Sequence, residues 1–142
     1  MTKAHEQKDT IQEDVWYPAH VQRTESATFR ANKHTLVKKL RLKCWVCGCS
    51  EHLEVHHLHE WALWPDLDPE KVHDDLMVFD PYGFSHQMTG QPVESPDDIR
   101  NLLVLCEHHH RHPEQGIHRL TFPVWLPQRA ANPGVQITEP VK

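Results

Sequence analysis

The sequence predicts an α+β fold, a small domain of two short strands and a few helices held together by a structural metal ion. Three observations carry this prediction. The chain has 142 residues of which only 38% are apolar, a marginal core that a bound metal would reinforce. Cys44-Trp-Val-Cys47 and Cys106-Glu-His-His109 repeat one spacing, two ligand-type residues with two between them, which is how half-sites for a tetrahedral ion are built. Two runs beside those half-sites, Leu53-Glu-Val55 and Leu102-Leu-Val-Leu105, suit short strands.

Taken in order, residues 1–22 are mostly polar and predict a flexible N-terminal tail, with a single domain over 23–126. Phe29, Leu36, Val37 and Leu40 recur near a 3.6 period and predict a helix over 24–42, capped by Thr24 or Ser26. The knuckle Cys44–Gly48 follows, with Gly48 allowing the tight turn that points both thiols one way. The two strands should pair and bring His56 and His57 close to the stretch from Cys106 to His110. Between them lies an insert, residues 60–98. Asp68-Pro69 predicts a helix start with Val72, Leu76 and Phe79 facing inward, Asp80-Pro-Tyr-Gly83 a turn, and Ser95-Pro-Asp-Asp98 a second helix start. Trp61 and Trp64 are expected to seal the insert onto the core. Pro113 limits any helix that begins near Glu107. Thr121–Leu126 reads as an apolar closing segment that packs in the core, and residues 127–142, with three prolines, as a flexible C-terminal tail.

The formal net charge of -5 argues mildly against a nucleic-acid partner, but its distribution argues the other way. Residues 26–50 contain no acid and carry Arg30, Lys33, Lys38, Lys39, Arg41 and Lys43, whereas residues 60–98 carry ten acids and one base, Lys71. The pattern fits either a phosphate-binding face (Lys38, Lys39, Arg41 and Lys43 above all) or two solvated faces of opposite sign. No run of 18 apolar residues predicts a membrane span, and no export signal is seen, so a cytoplasmic location is expected. In that setting CxxC thiols read as zinc ligands before disulfides.

Cys44, Cys47, Cys106 and His109 form a set that zinc accepts readily as a closed structural site. Cys49 is the spare thiol and the rival of Cys47; His108 is the rival of His109. His52, His59 and His73 read as surface histidines, and Glu60 as an exposed glutamate.

The remaining order is more specific: Val55-His56-His57 after a short strand, then Asn101-Leu-Leu-Val-Leu-Cys106, then His109-His110. With the CxxC, it resembles the HNH endonuclease family, the ββα-metal nucleases, over roughly residues 44–118. The resemblance implies a ββα-metal core with a zinc knuckle, here preceded by a basic helix and interrupted by an acidic helical insert. It implies that His56 and His110 ligate a catalytic divalent metal, that His57 is the general base, and that Asn101 holds the base-bearing segment. The family's further ligand, about one helical turn after His110, falls at Glu114 behind Pro113. His118 and His112 are the alternatives, with His118 favoured because Gly116-Ile-His118 can fold back.

A base with an ordinary pKa near 6.5 suits deprotonation of water at neutral pH. Neighbouring strand residues face opposite ways, so one histidine of the pair can bind metal while the other stays free. Imidazole ligation favours zinc, nickel, manganese or cobalt over magnesium. The expected activity is metal-dependent hydrolysis of DNA. A non-catalytic, zinc-stabilised nucleic-acid-binding or protein-interaction module is the alternative. The oligomeric state has no signature in the sequence.

Overall fold

The computed structural model describes residues 2–7, 17–20, 22–119 and 127–137. Its centre is a two-stranded antiparallel sheet, β1 (Leu53–His57) against β2 (Leu102–Cys106), in register from Leu53 opposite Cys106 to His57 opposite Leu102. Two strands alone are marginal in water. Here every β2 residue is buried, because both faces of the sheet are covered.

One face carries Val55, Leu102 and Val104 and packs on Phe29 and Leu36. These last two lie on α1 (Ala27–His34) and on the π-helical turn Thr35–Lys39 that continues it. Ser26 caps α1, its Oγ accepting from the Phe29 N–H at 2.9 Å. The predicted span of 24–42 therefore starts later and ends earlier. The Leu40 N–H reaches back to the Thr35 carbonyl, five residues away, and Arg41 then takes a positive φ of 52° that no helix continues.

The other face carries Leu103 and Leu105 and packs on Leu58, Leu63, Val72 and Leu76. Val72 and Leu76 come from α2 (Pro69–Val78), which starts where the sequence predicts, with the Asp68 carboxylate accepting from the Glu70 N–H at 3.0 Å. After the turn at Asp80 comes a short helix, α3 (Phe84–Gln87). The second expected helix start, Ser95–Asp98, yields only the 3-10 turn Ile99–Asn101. The chain enters β2 at Leu102, which leaves no length for more.

Three expectations about exposure are corrected. Residues 127–137 are not a free tail: Ala130, Ala131 and Ile137 are buried in the same core as Leu103 and Leu105, and Leu67 bridges to Ala131. Nor is His59 a surface residue: its side chain is fully buried, and its Nε2 lies 3.2 Å from Asp75, which also pairs with Arg129. Burial lowers the His59 pKa to about 4; the hydrogen bond with Asn101 opposes this, and the nearby Arg129 charge adds to it. Glu60 is half-buried rather than exposed, and burial raises its pKa. His52 and His73 keep contact with solvent, as expected. Trp64 packs against the core, while Trp61 lies beneath the Arg23 guanidinium and edge-on to His20. Thr121–Leu126 lies outside the described residues.

The insert is less of an acidic surface than its composition suggests. Asp75 pairs with Arg129, Asp97 with Arg23, and Asp98 with Arg100. Among the described residues no helix is long and apolar enough to cross a membrane.

Candidate metal centres and active site

The junction between β2 and α4 (Glu107–Arg111) organises two clusters. Cys106 ends the strand and caps the helix, and its sulfur accepts from the His109 N–H at 3.5 Å. The knuckle docks beside it, with the Trp45 N–H donating to the Val104 carbonyl at 2.9 Å and covering an edge of β2. Gly48, at φ +75°, turns the chain so that its N–H returns to the Cys44 carbonyl at 2.8 Å.

Cys44, Cys47, Cys106 and His109 thereby place one ligand atom each within 4.8 Å of all the others. The Cys47 and Cys106 sulfurs are 3.9 Å apart, and Cys106 Sγ lies 3.2 Å from His109 Nδ1. A tetrahedral ion with Zn–S bonds of about 2.3 Å requires sulfur separations of roughly 3.8 Å, whereas a disulfide requires about 2.05 Å. The four residues fit zinc. Burial would raise the Cys44 thiol's pKa, but the backbone N–H groups of Cys47, Cys106 and Val46 outweigh it and bring the pKa down to about 6. Cys49 lies beside Cys47 and Cys106 but is not one of the four, and its thiol donates to the Glu51 carbonyl at 3.7 Å.

The second cluster is His56, His110 and His118, again within 4.8 Å of one another. His56 comes from the face of β1 that also carries Glu54. Its ring is buried, and neither nitrogen has a hydrogen-bond partner. A buried imidazole left so costs about 1–3 kcal/mol for each unsatisfied group, unless something else satisfies it. Burial, and then the neighbouring His118, His110 and His57 rings, hold its pKa well below the ordinary value, so a proton is a poor remedy and a cation a good one.

His110 is oriented by a residue that the sequence reading missed. Its Nδ1–H donates to Glu54 at 2.8 Å, and Arg111 clamps the same carboxylate through two nitrogens at 2.8 and 2.6 Å. Burial would raise the Glu54 pKa, but the bonds from Arg111 and His110 outweigh it and keep the group ionised. His110 Nε2 is thus left with its lone pair, in the manner of a metal-bound histidine backed by a carboxylate. His118 Nε2 lies 2.8 Å from it. Burial and the nearby His110 lower the His118 pKa to about 4. The donor set therefore fits a borderline divalent ion.

Of the candidates for the last ligand, His118 is the one that joins the cluster. The chain turns back after α4 through Gly116, whose N–H donates to the His112 carbonyl at 2.9 Å. A Cβ there would meet the His112 nitrogen at 2.5 Å, so only glycine permits this return. His112 is instead spent on the turn, its Nδ1 accepting from the Glu114 and Gln115 N–H groups at 3.1 Å each.

His57 points to the opposite face of the sheet. Phe29 stacks on its ring, with centroids 5.1 Å apart, and its Nε2 lies 2.9 Å from Asp97 Oδ1. Burial lowers its pKa, a larger effect than the opposing pull of Asp97, so the ring is neutral at neutral pH. Asp97, which the sequence reading took only for part of a helix start, also accepts from Arg23 and from Ser26 Oγ. Nothing in the sequence ties residues 40 positions apart.

Asn101 is fully buried between the strands and the insert. Its Oδ1 accepts from the His59 N–H at 2.8 Å, and its Nδ2 donates to the His59 and Pro96 carbonyls at 3.1 and 2.8 Å. It ties the segment after His57 to the segment that carries Asp97. Asn101→Ala would orphan two buried backbone groups and one part-buried one and is expected to cost on the order of 2–4 kcal/mol in urea unfolding; a loss below about 1 kcal/mol would show that Asn101 does not hold the loop. Lys38, Lys39, Arg41 and Lys43 are all exposed, and no ion pair among the described residues engages them.

A protein-family model described as HNH endonuclease matches residues 44–116, just over half of the chain. No curated protein and no solved structure matches.

Proposed function

The chain belongs to the HNH endonuclease family, and on that premise we propose that it hydrolyses DNA phosphodiester bonds with His57 as general base and a divalent metal held by His56, His110 and His118. One observation carries this reading above the others: three converging imidazoles with no fourth protein ligand among the described residues, beside a neutral histidine that no such ligand set uses. Closed structural sites take four protein ligands, and catalytic ones keep a position open.

A cation bound there supplies a Lewis acid that stabilises negative charge on the phosphate oxygens and the leaving oxygen. The other work falls to the chain. His57 takes a proton from water as the water oxygen bonds to phosphorus and the bond from phosphorus to the leaving oxygen breaks. Glu54 and Arg111 keep the His110 lone pair directed inward. Asn101 fixes the loop that follows the base. Lys38, Lys39, Arg41 and Lys43 contact backbone phosphates, which gives affinity without sequence choice. Cys44, Cys47, Cys106 and His109 hold a structural zinc that takes no part in the chemistry.

A helix that stops before Pro113 could leave the open cluster short of a ligand and so favour a non-catalytic module; the return through Gly116, which sets His118 Nε2 2.8 Å from His110 Nε2, supports the catalytic reading instead. The test is metal analysis joined to a plasmid-cleavage assay. One zinc that survives dialysis against a mild chelator is expected, with a second, exchangeable ion needed for cutting. Zinc, nickel, manganese and cobalt should serve better than magnesium. Binding of DNA without cleavage under every one of these metals would refute the catalytic reading.

A further inference from the structure

We propose that Asp97 is a positioning residue for this reaction. It holds His57 as the Nε2–H tautomer and so leaves the Nδ1 lone pair to accept the proton of water, while Arg23 and Ser26 hold Asp97. This rests on the reading of His57 as the base.

The two oxygens of Asp97 have separate duties. Oδ2 accepts from Arg23 and, at 2.6 Å, from Ser26, while Oδ1 faces His57 Nε2 at 2.9 Å. The backbone is pinned as well: Asn32 Nδ2 donates to the Asp97 carbonyl at 2.8 Å, and the Asp97 N–H donates to Ser95 Oγ at 2.9 Å. Burial would raise the Asp97 pKa, but the bonds from Arg23, Ser26 and His57 outweigh it, so the group is an ionised carboxylate. An ionised carboxylate only accepts, so the nitrogen facing it must carry the hydrogen. In a neutral imidazole the other nitrogen is then the acceptor. Among the described residues no hydrogen bond engages His57 Nδ1. Phe29 stacks on the ring and opposes its rotation.

Arg23, Ser26, Phe29 and Asn32 all precede residue 44, where the family match begins. The segment upstream of the family core is therefore part of the catalytic unit, and not merely a cover for the sheet.

A purely structural ion pair makes a different forecast, and the two are separated by Asp97→Asn and Asp97→Ala. In Asp97→Asn, Arg23 can only donate, so it takes the amide oxygen and turns the amide NH₂ toward His57. The ring must then accept at Nε2 and carry its hydrogen on Nδ1, the wrong tautomer for the reaction. Asp97→Ala leaves the ring free to keep Nε2–H. The near-isosteric Asn is thus expected to lose more kcat than Ala, on the order of 100-fold, with KM and bound metal unchanged.

Long-range 1H–15N spectra of the full chain loaded with zinc provide the direct readout, with the His57 signals assigned by their loss in His57→Ala. The parent protein should show Nε2–H and Asp97→Asn should show Nδ1–H. Ala more damaging than Asn, or the same tautomer in both proteins, overturns the proposal. The spectra need no turnover, so they test Asp97 even in a protein that cuts nothing. Conversely, a protein that cuts with His57 protonated on Nδ1 would lose this proposal and keep its nuclease activity.

Discussion

His57→Ala is expected to lower the rate of plasmid cleavage by about 10³- to 10⁴-fold, at the upper end of what a positioned general base contributes, while leaving the fold and both metal clusters in place. The separation of effects follows from where the residue sits. His56 and His57 project from opposite faces of β1, so truncating His57 touches none of His56, His110 and His118. Asp97 keeps Arg23 and Ser26 after the ring is gone, so no buried charge is orphaned. The cavity left against Phe29 lies at a partly exposed position and should cost little. Initial rates at saturating metal, with metal content measured on the same samples, check this. Cleavage at the parent rate by a variant that retains both ions would remove His57 from the mechanism and leave the metal clusters to be explained otherwise.

What the sequence made legible was whatever depends on spacing along the chain. Ser26 as a cap, Asp68-Pro69 as a helix start, and the CxxC with its CxxH are all local patterns, and all appear in the structure. Strand alternation alone divides His56 from His57, because opposite faces are a property of extended backbone. His118 was reachable too, since Pro113 had to end α4 and Gly116 could return the chain.

The residues that orient these groups were not legible. Glu54 meets His110, Asp97 meets His57, and Asp75 meets both His59 and Arg129, each across a long stretch of sequence. An acid carries no mark of its eventual partner, so the sequence assigns none of the three to a histidine. The same blindness misplaced His59 and the segment over 127–137. Ala130, Ala131 and Ile137 show no period among prolines and a glycine, yet they close the core. In a domain this small, residues without a pattern still have to cover it.

Cys106→Ser is expected to abolish cooperative folding of the full chain at ordinary temperatures, and prolonged treatment with a strong chelator to do the same to the parent protein. A structural zinc site contributes about 10–16 kcal/mol of apparent binding free energy to folding, and a domain's whole net stability is about 5–15 kcal/mol. A serine hydroxyl neither ionises at neutral pH nor offers a soft donor, so most of the ion's contribution goes with the sulfur. Position makes it worse: Cys106 ends β2, caps α4, and faces both Cys47 and His109. His110 follows directly on the same short helix, so the second cluster should fail with the first. The reverse does not hold. His110→Ala removes a ligand from the open cluster while leaving all four ligands of the closed one, and it should keep a sharp unfolding transition and one tight zinc. Circular dichroism melts with metal analysis on the two variants separate the roles. A Cys106→Ser protein that melts cooperatively with one tightly held zinc would mean that the sulfur-lined cluster is not what holds this domain together.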